Sequence, residues 1–159
     1  MIKVFQADLT NESHAKALIT LLNAYALDPM GGGKALSDYT KDNLANTILE
    51  RSDTTVILAF DGDKPAGLLN CIEGFSTFAC LPLLNIHDVY VDTDFRGKGV
   101  AKMLFQAVEE LAKDKGCCKL TLEVLDGNKP AKEAYLKFGF KSYELDPETG
   151  KALFWEKKL

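Results

Sequence analysis

A chain of 159 residues, 47% apolar and 26% charged, fits one globular domain over residues 1–159, able to bury about 70% of its unfolded surface with no disulfide or metal staple. Its net charge of −4 argues against a nucleic-acid partner, which needs a basic patch, and suits either plain solubility or a cationic substrate. No apolar run reaches about 18 residues and the opening MIKVFQADLT holds no signal core, so the expected protein is cytoplasmic with no membrane partner.

The pattern predicts a first strand over Ile2–Leu9 and a helix over Asn11–Ala26, where Ala15, Leu18, Leu22 and Ala26 recur at helical spacing. Asp28-Pro29 stops that helix and Gly31-Gly32-Gly33 makes a loop. Ser37 is an N-cap for a second helix reaching Glu50, with Leu44, Ile48 and Leu49 inward. Thr54–Phe60 is a β-branched apolar run, Asp61–Pro65 a turn, and Ala66–Phe78 the hairpin partner. Pro82 is expected to break the chain before a strand over Leu83–Val91.

Gly99–Lys115 carries one apolar stripe (Val100, Met103, Leu104, Ala107, Val108, Leu111) and ends at Gly116, which suits a left-handed cap. Lys119–Leu125 alternates as a strand, Pro130 opens a short helix over Ala131–Phe138, and Phe140–Leu145 and Leu153–Lys157 read as final strands. This order predicts an α/β protein with a mixed, twisted sheet and helices on both faces, including a right-handed crossover between Leu83–Val91 and Lys119–Leu125.

Four cysteines (Cys71, Cys80, Cys117, Cys118) include no CxxC pair, and the two histidines are His14 and His87. The thiols read as buried and reduced, and no metal site is expected.

Chemistry concentrates at Val91–Ala101, where a buried strand turns into the amphipathic helix. Gly97 and Gly99 remove side chains where the turn is tightest. Backbone N–H groups can therefore converge at a helix start whose dipole favours an anion. A phosphate or pyrophosphate is the natural ligand; an empty glycine turn is the alternative. The Rossmann fingerprint fails here for want of a third glycine, and Gly31-Gly32-Gly33-Lys34-Ala35 lacks the spacing and hydroxyl of a P-loop.

Arg96-x-x-Gly99-x-Ala101 resembles the Q/R-x-x-G-x-G/A signature of the GNAT N-acetyltransferases. The stretch Ile86-His87-Asp88-Val89-Tyr90-Val91 looks like the strand before it. Asn128-x-x-Ala131-x-x-x-Tyr135 with Phe138-Gly139-Phe140 looks like the motif that follows. The likeness is close over Leu83–Tyr143 and holds only in element order over the first 80 residues.

The resemblance implies the GNAT acyl-CoA N-acyltransferase fold, with about six or seven strands and about four helices. It implies two parallel strands that splay, with acetyl-CoA as co-substrate pairing with the backbone of Val89, Tyr90 and Val91. It further implies a pyrophosphate held at Arg96, Gly97, Lys98, Gly99, Val100, Ala101 and Lys102, and a polar contact from Asn128. Tyr135 takes the place of the family's general acid, which protonates or stabilises the departing thiolate. The amine must lose a proton, and His87 and Asp88 are the candidates for base and substrate anchor. A neutral imidazole suits proton acceptance, and a carboxylate suits a cation. Asn85 stands where other members carry a glutamate base, and asparagine cannot serve as one.

In the family the substrate wall comes from the loop after the first helix, here Tyr25–Lys34, and from Phe75–Phe78. The implied reaction is direct transfer to a primary amine of a small molecule in a ternary complex, with a second copy of the chain as an optional partner. A protein or peptide N-acetyltransferase and a non-catalytic acyl-CoA-binding module of the same fold are the alternatives.

Overall fold

The computed structural model describes every residue, Met1–Leu159. Five strands, β1 Ile2–Gln6, β2 Thr54–Asp61, β3 Lys64–Ser76, β4 Leu81–Val91 and β5 Leu120–Leu122, alternate with four helices, α1 Glu12–Leu27, α2 Asp38–Leu49, α3 Val100–Asp114 and α4 Lys129–Lys137. The chain forms two compact units, Met1–Leu122 and Glu123–Leu159.

In the first unit the sheet order follows the chain, β1-β2-β3-β4-β5. The first four strands pair antiparallel, and β4 pairs with β5 in parallel through Leu84↔Leu120, Asn85↔Thr121 and Ile86↔Leu122. Neighbouring residues on a strand face opposite sides, which sorts the core. Val56, Leu58, Phe60, Leu68 and Tyr90 pack with Leu18 and Leu21 of α1. On the other face Gly67 lies under α3, and a Cβ there would meet Val100 at 2.9 Å and Leu104 at 3.2 Å. A residue larger than glycine would crowd these side chains and the Tyr90 carbonyl at 3.1 Å.

The helices start where expected. Asn11 and Ser37 cap α1 and α2, each accepting backbone N–H groups through its side-chain oxygen. Leu44 and Ile48 of α2 pack on the core, whereas Leu49 is exposed. Pro82 lies inside β4, opposite Phe75, rather than before it. No helix is long and apolar enough to cross a membrane.

The second unit holds α4, and its backbone closes a turn in which Thr149 and Gly150 donate to the Asp146 carbonyl. The expected strands Phe140–Leu145 and Leu153–Lys157 do not form. One isolated bridge, Glu144↔Lys151, stands in their place, so the sheet has five strands rather than six or seven. A β-prone segment becomes a strand only through a ladder partner, and Leu153, Phe154 and Trp155 stay exposed.

Candidate active site

The parallel pairing of β4 with β5 ends at Ile86↔Leu122, while β4 runs on to Val91. Val89, Tyr90 and Val91 stay bonded to β3 through Leu69, Leu68 and Gly67. Their opposite edge has no strand partner, and apart from the Val91 carbonyl, which accepts from Arg96, its backbone groups are left for another partner.

The same strand contains a bulge. Ile86 pairs with Cys71 and Asp88 with Asn70, leaving His87 as the extra residue. The bulge reverses the alternation. Ile86 and Val89 share the α3 face, and Asn85, Asp88 and Tyr90 share the α1 face. His87 is exposed, and Asp88 is half-buried, accepting a hydrogen bond from Nδ2 of Asn70 at 3.0 Å. Sequence reasoning left these neighbours undecided; the structure separates them.

Asn70 was missed. It is the one buried polar residue, 5% exposed, and its Oδ1 has no partner. An asparagine inside an apolar strand such as Gly67–Ile72 was the available signal. An unpaired buried acceptor costs about 1–3 kcal/mol, and such a group calls for a reason. Tyr25 of α1 lies on this face too, its ring 6.1 Å from that of Tyr90. Burial, and then the nearby charge of Asp88, raises the Tyr25 phenol above its ordinary pKa.

Asn85, at the position where the family carries a carboxylate, donates to Oγ1 of Thr121 at 3.0 Å. It ties β4 to β5 one residue before their pairing ends. Glu73 of β3 is bound to Lys115 at 2.8 Å.

After β4 the chain makes a short 3₁₀ turn, Thr93–Phe95, and anchors it by burying Phe95. Gly97 and Gly99 both adopt left-handed backbone, φ 75° and 80°, which a Cβ disfavours. The amides of Gly99, Val100, Ala101 and Lys102 donate to no backbone carbonyl, and no side chain caps α3. Four donors and the positive dipole end therefore face outward together.

Arg96 of the signature is engaged elsewhere. Its Nε donates to the Val91 carbonyl at 3.2 Å and its Nη2 to Asp28 at 3.3 Å. Its guanidinium also lies 5.8 Å from the Tyr90 ring centre. Lys98 lies over the Phe95 ring at 5.1 Å, and Lys102 is exposed. The glycine-rich segment after α1 is a built turn, with Gly31 and Gly33 donating to the Asp28 carbonyl and Lys34 to that of Ala26. Phe75 and Phe78 are exposed.

In the second unit Asn128 caps α4, its Oδ1 accepting from Ala131 N at 3.3 Å, which leaves its amide nitrogen for another contact. Tyr135 is half-buried on α4, its ring edge-on to Phe140 at 6.1 Å.

The Acetyltransferase (GNAT) family profile matches residues 15–140. The chain belongs to the GNAT acetyltransferase family. It is 32% identical over 135 residues to the thialysine N-epsilon-acetyltransferase of Caenorhabditis elegans, covering 84% of this chain and 81% of the relative. The streptothricin acetyltransferase of Streptomyces lavendulae is 30% identical over 147 residues, 90% of this chain and 71% of its own. Among solved structures, AAC(6')-Iy in complex with the bisubstrate analogue CoA-S-monomethyl-acetylneamine superposes with a TM-score of 0.76 at 19% identity, covering 100% of this chain and 99% of that one, a likeness of fold. This GNAT protein is therefore an acyltransferase.

Proposed function

We propose that this enzyme transfers the acetyl group of acetyl-CoA directly to a primary amine of a small, cationic molecule. The observation that carries the reading is the adjacency, within one unit, of an unpaired strand edge at Val89–Val91 and the uncapped start of α3 at Gly99–Lys102. The first suits the amide-bearing arm of coenzyme A and the second suits its pyrophosphate.

In this reading the amine nitrogen attacks the thioester carbonyl, the C–S bond breaks, and the thiolate leaves with a proton. Tyr135 is assigned as the donor of that proton on motif order. The amine loses its own proton to His87, directly or through water, while Asp88 holds positive charge on the acceptor. Asn128 retains a cofactor contact through its amide nitrogen. The small-molecule acceptor is supported by the relatives, named for thialysine and streptothricin. The test is thiol release from acetyl-CoA across polyamines, amino acids, aminoglycosides and peptides. Turnover with small amines is expected; release with peptides alone would overturn the acceptor class, and no release with any acceptor would overturn the reaction.

A further inference from the structure

The bulge at His87 brings two acceptors together on the α1 face. Asp88 presents a carboxylate that only accepts hydrogen bonds. The Asn70 amide must turn its Nδ2 toward that carboxylate, as the 3.0 Å bond shows, so its orientation follows from its neighbour's chemistry. Its Oδ1 is then left as a second acceptor, buried and unpartnered. The Tyr25 ring lies against Tyr90 on the same face, and burial, then the charge of Asp88, raises its phenol pKa.

We propose that Asn70 and Asp88 form a subsite for a non-reacting ammonium group of the acceptor, so that the preferred substrates carry at least two cationic amines. An ammonium has three donors and no acceptor, the complement of this pair. The amide that grips Asp88 carries the orphan oxygen on its other corner, so a donor held at the carboxylate lies within one side chain of it. A carboxylate beside an unpartnered amide oxygen stabilises the charged form of an amine, so the nucleophilic, neutral amine sits elsewhere. Asn70 thus acts as a specificity residue, orienting Asp88 and adding a ligand of its own. The inference rests on the proposed amine acetylation for its purpose, but not for its test.

That test is binding. Putrescine, a linear diamine, and its amino-alcohol counterpart, with a hydroxyl in place of one amine, are titrated calorimetrically into the parent protein and Asn70→Leu. The parent is expected to prefer the diamine at least tenfold. N70L should lose most of that preference, while acetyl-CoA affinity stays within about twofold. N70L removes the unpaired Oδ1 but also the bond to Asp88, so its melting temperature should stay close to that of the parent; should it fail to fold, Asn70→Ala carries the same binding expectation. Equal preference in parent and variant overturns the subsite, whatever the turnover. A melting temperature raised with unchanged preference would mean that Asn70 holds only a buried water. Lack of thiol release from acetyl-CoA by the parent would overturn the proposed reaction and leave the binding result standing by itself.

Discussion

The Arg96 guanidinium reaches the Asp28 carboxylate at 3.3 Å, fastening the turn that starts α3 to the segment that follows α1. The same side chain bonds the Val91 carbonyl, so one arginine joins the end of β4, the turn that starts α3 and the segment that follows α1. An arginine serves all three because its fork offers several donors at fixed angles, which lysine lacks. Those contacts predict that ligand binding on one side of Arg96 is coupled to order on the other.

That coupling is measurable. The Arg96–Asp28 pair is half-exposed, so it should contribute only about 0.5–1 kcal/mol to stability. A double-mutant cycle of Arg96→Met and Asp28→Asn, followed by urea denaturation, should return a coupling of that size. The kinetic effect should be larger: either change should raise the acceptor KM several-fold. Additive single mutants with parental KM would show that the contact couples nothing.

Gly99→Glu should abolish acetyl-CoA binding. The backbone at φ 80° disfavours any Cβ, and a carboxylate there would repel the anion that four free amides are placed to receive. Calorimetric titration reads the outcome, and undiminished affinity would move the pyrophosphate elsewhere.

Tyr135→Phe should lower kcat roughly 10- to 1000-fold with acetyl-CoA affinity nearly unchanged, as for a proton donor used only in the transition state. Equal turnover would return Tyr135 to a packing role beside Phe140.

His87 and Asp88 should separate kinetically because the bulge separates them in space. If His87 accepts the proton, kcat/KM falls toward acid pH and that limb disappears in His87→Gln. Asp88→Asn should raise the KM for cationic acceptors by about tenfold with a smaller effect on kcat. Pre-steady-state and pH-dependent kinetics on the two variants provide the check, and parental behaviour in both would leave proton transfer to water.

Burial pushes the Cys71 thiol from its ordinary 9.0 up to about 11. The folded state therefore holds this proton more tightly than the unfolded one. Stability is complete below pH 9 and falls as pH climbs from 9 toward 11, by about 3 kcal/mol from this group. Denaturant midpoints of the parent should drop over that window, and Cys71→Ala should lack this part of the slope. At neutral pH the exposed Cys80 and Cys118 should alkylate readily in the native protein, with Cys71 inert.

Local chemistry was enough to predict the glycine turn and the uncapped amides at the start of α3. Gly97 and Gly99 between a strand and an amphipathic helix dictate backbone conformation and free donors within ten residues of chain, so that turn can be read in order along the sequence. The cap at Ser37 is equally local, and it sits where its side-chain type predicted. The acceptor half was not legible, because it depends on register between segments far apart. Whether His87 or Asp88 turns inward is decided by how β4 pairs with Asn70 and Cys71, and one bulge reverses the answer for every residue beyond it. Asn70 itself looks like an interruption in an apolar strand until Asp88 is placed opposite. The last two strands failed for the same reason in reverse: Phe140–Leu145 and Leu153–Lys157 have strand-forming side chains, but a strand is a pairing, and only the tertiary structure decides whether a partner edge is there.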